Sequence, residues 1–404
     1  MRYKVNLDCF QSLAESNYNE NAHSQNLLLM VIIMLSSIRV SRRIALVALV
    51  CLLCSGCSDD EPADDPDAGV EDESDADVID DDPDADDDPD ADDDSDADDD
   101  ADADNGTDEG CGIAAEYPGD DGIEDHPGVL FAEDFEHASM EVLDERFTEI
   151  RNPEFVDFVD QVSDDSPGET AVRLQSAGDD DTGSHLYRNL EEMEGETFDE
   201  LYARAYIKYD RDHSYHHSGV GLGGYNPPTS WPQGGAGTRP DGDDRISMRA
   251  EPVGSDLQFD MYTYWMHMRG NPGDDNYWGN TFLGGVDLPV PDREWFAVEL
   301  YIRLNDPVDE FNGELAMWVD GEQIIHLEEG APLGEWVHDT FHPDEEGEPF
   351  EGFQWRDDSD LALSFLWLHQ YVTGNEEGEH SYIWYNDVVL ATDYIGPVDG
   401  TPCP

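Results

Sequence analysis

A 53-residue tract with no basic residue divides this 404-residue chain into two parts. The tract runs from Ser58 to Gly110 and contains 30 Asp or Glu residues. Part of it repeats every six residues, as in Pro83-Asp-Ala-Asp-Asp-Asp and Pro89-Asp-Ala-Asp-Asp-Asp. Like charges at this density repel one another, and few apolar side chains are present to be buried. We therefore expect residues 58–110 to form a disordered, extended acidic tether, followed by a folded domain at 111–404.

A short apolar segment lies upstream of the tether. Three arginines (Arg39, Arg42 and Arg43) precede the ten-residue apolar run 44–53, which is too short to span a hydrocarbon layer of roughly 30 Å. Ser55-Gly56-Cys57 follows, and the whole segment resembles a bacterial lipoprotein signal. The resemblance implies cleavage before Cys57, attachment of lipid to Cys57, and export to a bacterial membrane or cell surface.

An uncleaved signal anchor is the alternative interpretation of residues 1–57. Cys54 stands where the lipoprotein motif usually has leucine. Met34 is a candidate for the true start of this segment, since it directly precedes the positively charged stretch. In both interpretations the membrane is contacted only through this N-terminal segment, and the domain at 111–404 lies outside the cytoplasm.

Residues 111–404 are strongly acidic. The whole chain has a formal net charge of −79, the tether contributes −30 and residues 1–57 contribute +2, which leaves −51 for the domain. Lys208 is its only lysine. This composition favours adaptation to high salt, which screens the repulsion between carboxylates; bulk cation binding is the alternative. We expect no binding to nucleic acid, because phosphate recognition requires a basic face.

Two cysteines bracket the domain. Cys111 and Cys403 lie at its first residue and one residue before its end. An exported setting permits a disulfide between them, and two free thiols are the alternative.

Short alternating runs bounded by Gly, Pro, Asp and Asn dominate the domain and predict strands. Asp320-Gly321 between two such runs is a strong hairpin signal. A short helical turn is expected within 191–200. About ten strands with hairpin turns predict an all-β, two-sheet antiparallel jelly-roll sandwich. The strands are expected at 129–135, 170–177, 200–209, 245–250, 257–268, 295–304, 315–319, 323–327, 361–372 and 382–390.

Several segments together resemble a known superfamily. The opening Val129-Leu-Phe-Ala-Glu-Asp-Phe-Glu136, the pair 295–305 and 313–322, and the closing run 382–397 are similar to strands of concanavalin A-like jelly rolls. Their order, with Gly221-Leu-Gly-Gly224 and Met261-Tyr-Thr-Tyr264 between them, is similar to alginate-lyase-like polysaccharide lyases of family 14. The resemblance covers roughly residues 128–397.

This resemblance implies β-elimination on a uronate polysaccharide. The family uses two tyrosines two residues apart, matched here by Tyr262 and Tyr264, whose hydroxyls share one sheet face. The reaction needs a base, an acid and a cation beside the carboxylate, and a nearby cation would lower a tyrosine pKa for this purpose. The family's lysine is absent, and His216 and His217 stand there instead, with Arg249 as a further catalytic candidate.

Other candidate residues complete the predicted site. Substrate-binding candidates are Arg245, Gln258, Trp265 and His369; structural-calcium candidates, by analogy with the fold, are Asp134, Glu136 and Asp387. Trp265, Trp278, Trp355 and Trp367 are candidates for stacking on sugars, with packing in the core as the alternative, since most tryptophans of sandwich folds are core residues.

Simpler interpretations remain open at this point. Tyr262 and Tyr264 also fit ordinary packing in an aromatic-rich strand, and His213, His216 and His217 fit a solvated polar loop or a zinc site. We expect a monomer that engages an extracellular polysaccharide, as a lyase or as a non-catalytic binding or adhesion module of the same fold. A structural surface protein without a ligand is the third possibility.

Overall fold

The computed structural model describes residues 112–160, 166–176, 182–230, 235–273, 275–373 and 379–398. The signal segment, the tether, Cys111 and Cys403 therefore lie outside the described residues. Within the described ranges, no helix is both long enough and apolar enough to cross a membrane.

The described residues form strands with only two short α-helices. The helices are α1 (Met140–Arg146) and α2 (Leu190–Met193). In chain order, the strands are β1 (Val129–Glu133), β2 (Glu149–Arg151), β3 (Val156–Asp160), β4 (Thr170–Gln175), β5 (Thr182–Asn189), β6 (Glu200–Tyr209), β7 (His217–Tyr225), β8 (Arg245–Val253), β9 (Gln258–Tyr264), β10 (Trp295–Arg303), β11 (Glu314–Val319), β12 (Glu322–Leu327), β13 (Leu333–Val337), β14 (Thr340–Pro343), β15 (Glu348–Pro349), β16 (Phe365–Val372) and β17 (Tyr382–Ala391).

Two large sheets account for most of these strands. The first has the order β12-β11-β10-β6-β17-β4-β3, with β1 also paired to β17. The second has the order β2-β5-β16-β7-β8-β9, and a small sheet has the order β14-β13-β15. Neighbouring strands within each sheet are antiparallel. The predicted two-sheet antiparallel jelly-roll sandwich is thus confirmed.

The core lies between the two large sheets. Ile207 and Leu300 of the first sheet belong to the same buried cluster as Leu222, Met248 and Leu368 of the second. Successive side chains of a strand point to opposite faces, so every second residue of the second sheet is turned away from this core. That outer face carries the residues of the candidate site.

Several strand boundaries differ from those expected. The expected strand at 257–268 ends at Tyr264, because Trp265 turns into the core and Met268 N–H donates to the Trp265 carbonyl at 3.1 Å. The glycine-rich strand β7 begins at His217, which had been placed in a polar loop. Strand β5 and the small sheet were not predicted.

Candidate active site

The predicted catalytic residues lie together on the outer face of the second sheet. Arg249 of β8 pairs with Tyr262 of β9, and Ser247 pairs with Tyr264. The alternate residues Met248 and Ala250 are fully buried in the core. Period-two alternation therefore brings both tyrosines to one face, as their spacing predicted, and strand pairing brings Arg249 to the same face.

The two tyrosines contact each other through their hydroxyls, 3.4 Å apart. Tyr262 is half-buried, whereas Tyr264 is 1% exposed. Gly279 backs the Tyr262 ring so closely that a Cβ at that position would lie 2.5 Å from it, which a larger residue could not accommodate.

The ionisation of Tyr264 differs from the expected one. Burial raises its pKa, the neighbouring Tyr262 raises it further, and Arg249 and Arg245 offset this only in part. The expectation that a cation would lower the pKa of a catalytic tyrosine is therefore wrong for Tyr264. Its hydroxyl stays protonated at neutral pH and is a proton donor.

His217 is oriented by a buried carboxylate. Its Nδ1 lies 2.7 Å from Oε1 of Glu251, and its ring centroid lies 5.0 Å from that of Tyr262. Because a carboxylate only accepts, Nδ1–H must donate to Glu251, and this assigns the lone pair to Nε2. His217 is therefore a base candidate beside the tyrosines. His216 stacks on it at 4.1 Å, is exposed, and reaches Thr373 at 3.1 Å, so it lies at the edge of the site.

Glu251 is the central residue that the sequence reasoning missed. It is 1% exposed and accepts hydrogen bonds from Nδ1 of His217 at 2.7 Å and Nε2 of His369 at 3.3 Å. Nε of Arg249 lies 3.6 Å from it as an ion pair without a hydrogen bond. Burial alone would raise the pKa of Glu251, but the charges of His217 and Arg249 and the histidine hydrogen bonds hold it well below its usual range. Its position two residues after Arg249, on the same face of β8, was the available signal.

Arg249 supplies the cation of the site. It is 3% exposed, and its guanidinium carbon lies 5.0 Å from the centroid of Tyr262 and 5.7 Å from that of Trp367. A Cβ at Gly221 on the neighbouring strand would lie 2.9 Å from Cγ of Arg249, so glycine there lets the arginine lie across β7. In the part of the chain that the structure describes, the two Nη atoms make no hydrogen bond to protein and remain as donors for a carboxylate.

Three predicted substrate-binding residues are placed differently. Trp265 is fully buried against Phe353, so it is a core residue and cannot stack on a sugar. Gln258 accepts a hydrogen bond from Leu288 N–H at 2.8 Å and holds a loop. His369 is also fully buried, and burial lowers its pKa to about 4 despite its contact with Glu251. It supports Glu251 as a neutral donor.

The remaining cations of the domain do not replace the missing lysine. Arg245 lies near the tyrosines, but its Nη1 contacts Asp244 at 2.9 Å and its Nη2 donates to the Thr238 carbonyl at 2.6 Å. Lys208 belongs to the other sheet, where its Nζ lies 5.0 Å from the ring of Trp295 and 5.2 Å from that of Trp384. Arg249 is therefore the cationic group of the site.

The predicted calcium ligands are close together, Asp134 and Glu136 just after the end of β1 and Asp387 in the bulge of β17. Asp387 is 8% exposed, its φ is 39°, and its Oδ2 has no hydrogen-bond partner. Burial raises the pKa of Asp387 to about 7, and the charges of Asp120, Asp134 and Glu136 raise it too, while Arg204 opposes them. Asp120 is itself paired to Arg204. This excess of carboxylate over cation is the chemistry that suits a hard divalent ion.

A second group of possible metal ligands lies on the first sheet. Glu314, His326 and Glu328 offer ligand atoms within 4.8 Å of one another. Glu314 already pairs with Arg303, and Nε2 of His326 lies 2.9 Å from Oε2 of Glu314. These residues therefore already form a network of polar contacts without a metal ion.

Comparisons with known proteins give structural likenesses only. No family model matches the sequence, and no curated protein matches it. The chain is similar to the alginate lyase vAL-1 from Chlorella virus, with 11% identity and a TM-score of 0.44 over 65% of this chain and 99% of that one. It is also similar to the alginate lyase Aly36B, in complex with alginate tetrasaccharide, with 12% identity and a TM-score of 0.40 over 66% and 95% of the two chains.

A third likeness is to an endo-β-1,4-glucuronan lyase from the fungus Trichoderma reesei, with 13% identity and a TM-score of 0.37 over 65% of this chain and 95% of that one. At such identities and scores, these likenesses carry no argument about what this chain does.

Proposed function

We propose that this protein is a polysaccharide lyase that cleaves a uronate-containing glycan by β-elimination. The observation that carries the proposal is the His217–Glu251 pair, whose imidazole lies 5.0 Å from the Tyr262 ring while Arg249 lies over that ring at the same distance. A base, an acid and a carboxylate-binding cation thus surround one position.

The roles follow from the protonation states. Nε2 of His217 takes the proton on the carbon next to the uronate carboxylate, and Arg249 stabilises the negative charge that develops on that carboxylate. The electron pair forms a double bond to the adjacent carbon as the glycosidic oxygen leaves. The Tyr262 hydroxyl donates its proton to that oxygen, and Tyr264 lies within 3.4 Å to support it. No water is consumed.

Glu251 has a positioning role in this scheme. It fixes the His217 tautomer and faces the imidazolium that forms after proton transfer. Its negative charge also balances Arg249, so the carboxylate of the substrate enters a site whose own cation is already partly neutralised.

The test is the formation of an unsaturated uronate product. Purified protein would be incubated with polyuronates, mixed uronate glycans and neutral glucans in high salt, and the ultraviolet absorbance of the unsaturated product followed. Absorbance that Tyr262→Phe abolishes would support the proposal. Cleavage of neutral glucans alone, without this absorbance, would refute it.

A non-catalytic glycan-binding module is the second candidate. Trp278 favours it, because this tryptophan is 41% exposed and precedes Gly279, which backs Tyr262. Trp265, Trp355 and Trp367 are buried, however, so they do not form the exposed ladder expected for such a module. Retardation in a polysaccharide gel without any cleavage would favour this candidate.

We also propose that the protein is exported and lipid-anchored at Cys57. The order of positive residues, short apolar run, Cys57 and acidic tether supports this. Incorporation of a labelled fatty acid that Cys57→Ala abolishes would test it.

We further propose a structural calcium ion at Asp387, with Asp134 and Glu136. The unpartnered, buried Oδ2 of Asp387 supports this proposal. The Glu136 Oε1 atom accepts Glu169 N–H at 2.6 Å and Thr170 N–H at 2.9 Å, which would hold one ligand in place. Calcium titration followed by calorimetry would test it, with Asp387→Asn expected to abolish binding.

A further inference from the structure

A cleft lies beside the loop that contains Tyr277. It has a volume of about 980 Å³, at the upper end of the range for ligand sites. Phe311 and Trp336 supply aromatic surface to it, and Arg239 and Arg269 line it together with the small sheet β13–β15. We call it the Trp336 cleft.

The centre of the Trp336 cleft is a pre-formed polar and aromatic group. The guanidinium of Arg269 lies 4.7 Å from the Trp336 ring centroid and 2.7 Å from Oε1 of Glu351. The Trp336 Nε1–H donates to Oε2 of the same glutamate at 3.2 Å. The guanidinium thus covers one face of the indole, and the planar Arg269 and the Glu351 carboxylate present fixed hydrogen-bonding groups beside the aromatic lining of the cleft. Such a mixed surface suits a sugar ring, which has apolar faces and hydroxyl edges.

The charge of the Trp336 cleft opposes a polyanion. Its two arginines are outnumbered by four glutamates, and Arg269 is already paired to one of them. Glu335 and Glu348 are exposed at its rim. A chain with a carboxylate on every sugar would therefore be repelled here, in a domain that is acidic overall.

The loop around Tyr277 links this cleft to the active site. Arg239 of the cleft lies 5.2 Å from the Tyr277 ring centroid. Two residues later, Gly279 backs the Tyr262 ring, and the exposed Trp278 stands between them in the chain. A glycan leaving Tyr262 along this loop would pass Trp278 and reach Arg239.

The active site itself accommodates few carboxylates. Its single buried guanidinium, Arg249, already faces Glu251. The next arginines along the outer face are also paired, Arg245 with Asp244 at 2.9 Å and Arg151 with Glu149 at 3.5 Å. Among the described residues of this face, uronates on both sides of the cleaved one would therefore meet only arginines that already pair with a carboxylate.

We infer that the substrate is a heteroglycan in which uncharged sugars neighbour the cleaved uronate, and that the Trp336 cleft binds those uncharged sugars. This inference rests on the proposed function. It assigns one carboxylate to Arg249 and uncharged sugar rings to Trp278 and to the Trp336 cleft.

Binding to the Tyr262→Phe variant tests the inference without turnover. Calorimetry at an ionic strength of ~0.05 M would compare a tetrasaccharide that has one uronate and three neutral sugars with a tetrasaccharide of four uronates. We expect the mixed glycan to bind at least about tenfold more tightly, and the ratio to shrink at ~1 M salt. Equal or tighter binding of the tetra-uronate would overturn the inference.

A second pair of variants tests the cleft itself. Glu335→Gln with Glu348→Gln removes two exposed rim charges and should raise affinity for the tetra-uronate about threefold or more, with little effect on the mixed glycan. Asp144→Asn with Glu145→Gln, two exposed carboxylates on α1, removes the same charge elsewhere. If both double variants raised affinity for the tetra-uronate equally, the effect would come from the net charge of the whole domain, and the role of the cleft would be overturned.

Cleavage separates this inference from the proposed function. Faster formation of unsaturated product from a homopolyuronate than from mixed glycans would refute the heteroglycan inference and leave the lyase intact. Tighter binding of the mixed glycan, with no unsaturated product from any glycan, would refute the lyase and support the same ligand class for a binding module.

Discussion

Replacing Glu251 with glutamine would remove one negative charge from the centre of the candidate active site while keeping the shape of the side chain. Glu251 is buried and receives hydrogen bonds from His217 and His369, with Arg249 3.6 Å away. The single side-chain oxygen of glutamine can accept from only some of these three donors. Its NH₂ group, which is itself a donor, would face the N–H group of another. Arg249 would then remain buried without a carboxylate.

The expected cost in stability follows from this geometry. Removing one partner of a buried ion pair costs about 3–5 kcal/mol, and we expect the lower end because glutamine keeps one hydrogen bond. For a domain of this size, about 3 kcal/mol corresponds to a fall in Tm on the order of 5 °C. Differential scanning calorimetry would measure it.

The catalytic effect has its own signature. Loss of the group that orients the base should lower kcat about 100-fold. Absorbance assays of the unsaturated product would measure it.

A matched control is available in the other sheet. Glu299 is also a buried glutamate, but burial raises its pKa to about 7, and its oxygens accept Ile395 N–H at 2.7 Å and Gly396 N–H at 2.8 Å. Glu299→Gln should leave kcat unchanged. If Glu251→Gln kept its rate within about threefold, the positioning role of Glu251 would be refuted.

Three further predictions concern single residues. Tyr262→Phe should lower kcat about 100-fold or more, while Tm changes by only a few degrees, because its hydroxyl makes one long contact; equal activity in the variant would exclude it as the acid. Arg249→Lys should lower kcat/KM at least about tenfold, since a point charge cannot replace the planar guanidinium that lies over Tyr262; full activity would contradict this role. Without calcium, Tm should fall as pH rises from about 4 to about 7, because the folded-state pKa of Asp387 is raised and its stabilising protonated form is lost through that window. Calcium should restore Tm at pH ~7.5 and have little effect at pH ~4.5. Asp387→Asn should abolish this effect of calcium on Tm. If scanning calorimetry shows that Tm does not depend on calcium, the proposed site is refuted.

Strands were predicted well from the sequence where apolar and polar residues alternate strictly. Strand β6 was predicted with its observed bounds, Glu200–Tyr209, because apolar and polar residues alternate there over its length. Strand β7 was missed, because its glycines carry no side chain to show a period. The end of β9 at Tyr264 depends on Asn280, whose side-chain oxygen accepts a hydrogen bond from Arg269 N–H at 2.8 Å. No local sequence pattern indicates this contact, because it joins segments that are distant in the chain.

The candidate site could be predicted only in part, because some of its residues meet only through contacts between different strands. The spacing of Tyr262 and Tyr264 placed them on one face, and Arg249 was expected nearby. Glu251 was not predicted, because an acidic residue within a strand has no distinguishing signal until His217 of a neighbouring strand is known to reach it at 2.7 Å. Trp265 was assigned to substrate because composition alone does not distinguish a core tryptophan from an exposed one.

The central claim is that the glycosidic bond is broken by elimination. Mass spectrometry of the products formed in isotopically labelled water tests it most directly, since elimination adds no water to the products. The account predicts an unsaturated uronate at one new chain end, no incorporation of labelled oxygen, and loss of both products with His217→Ala. Labelled oxygen at the cleaved bond would show hydrolysis and contradict the account.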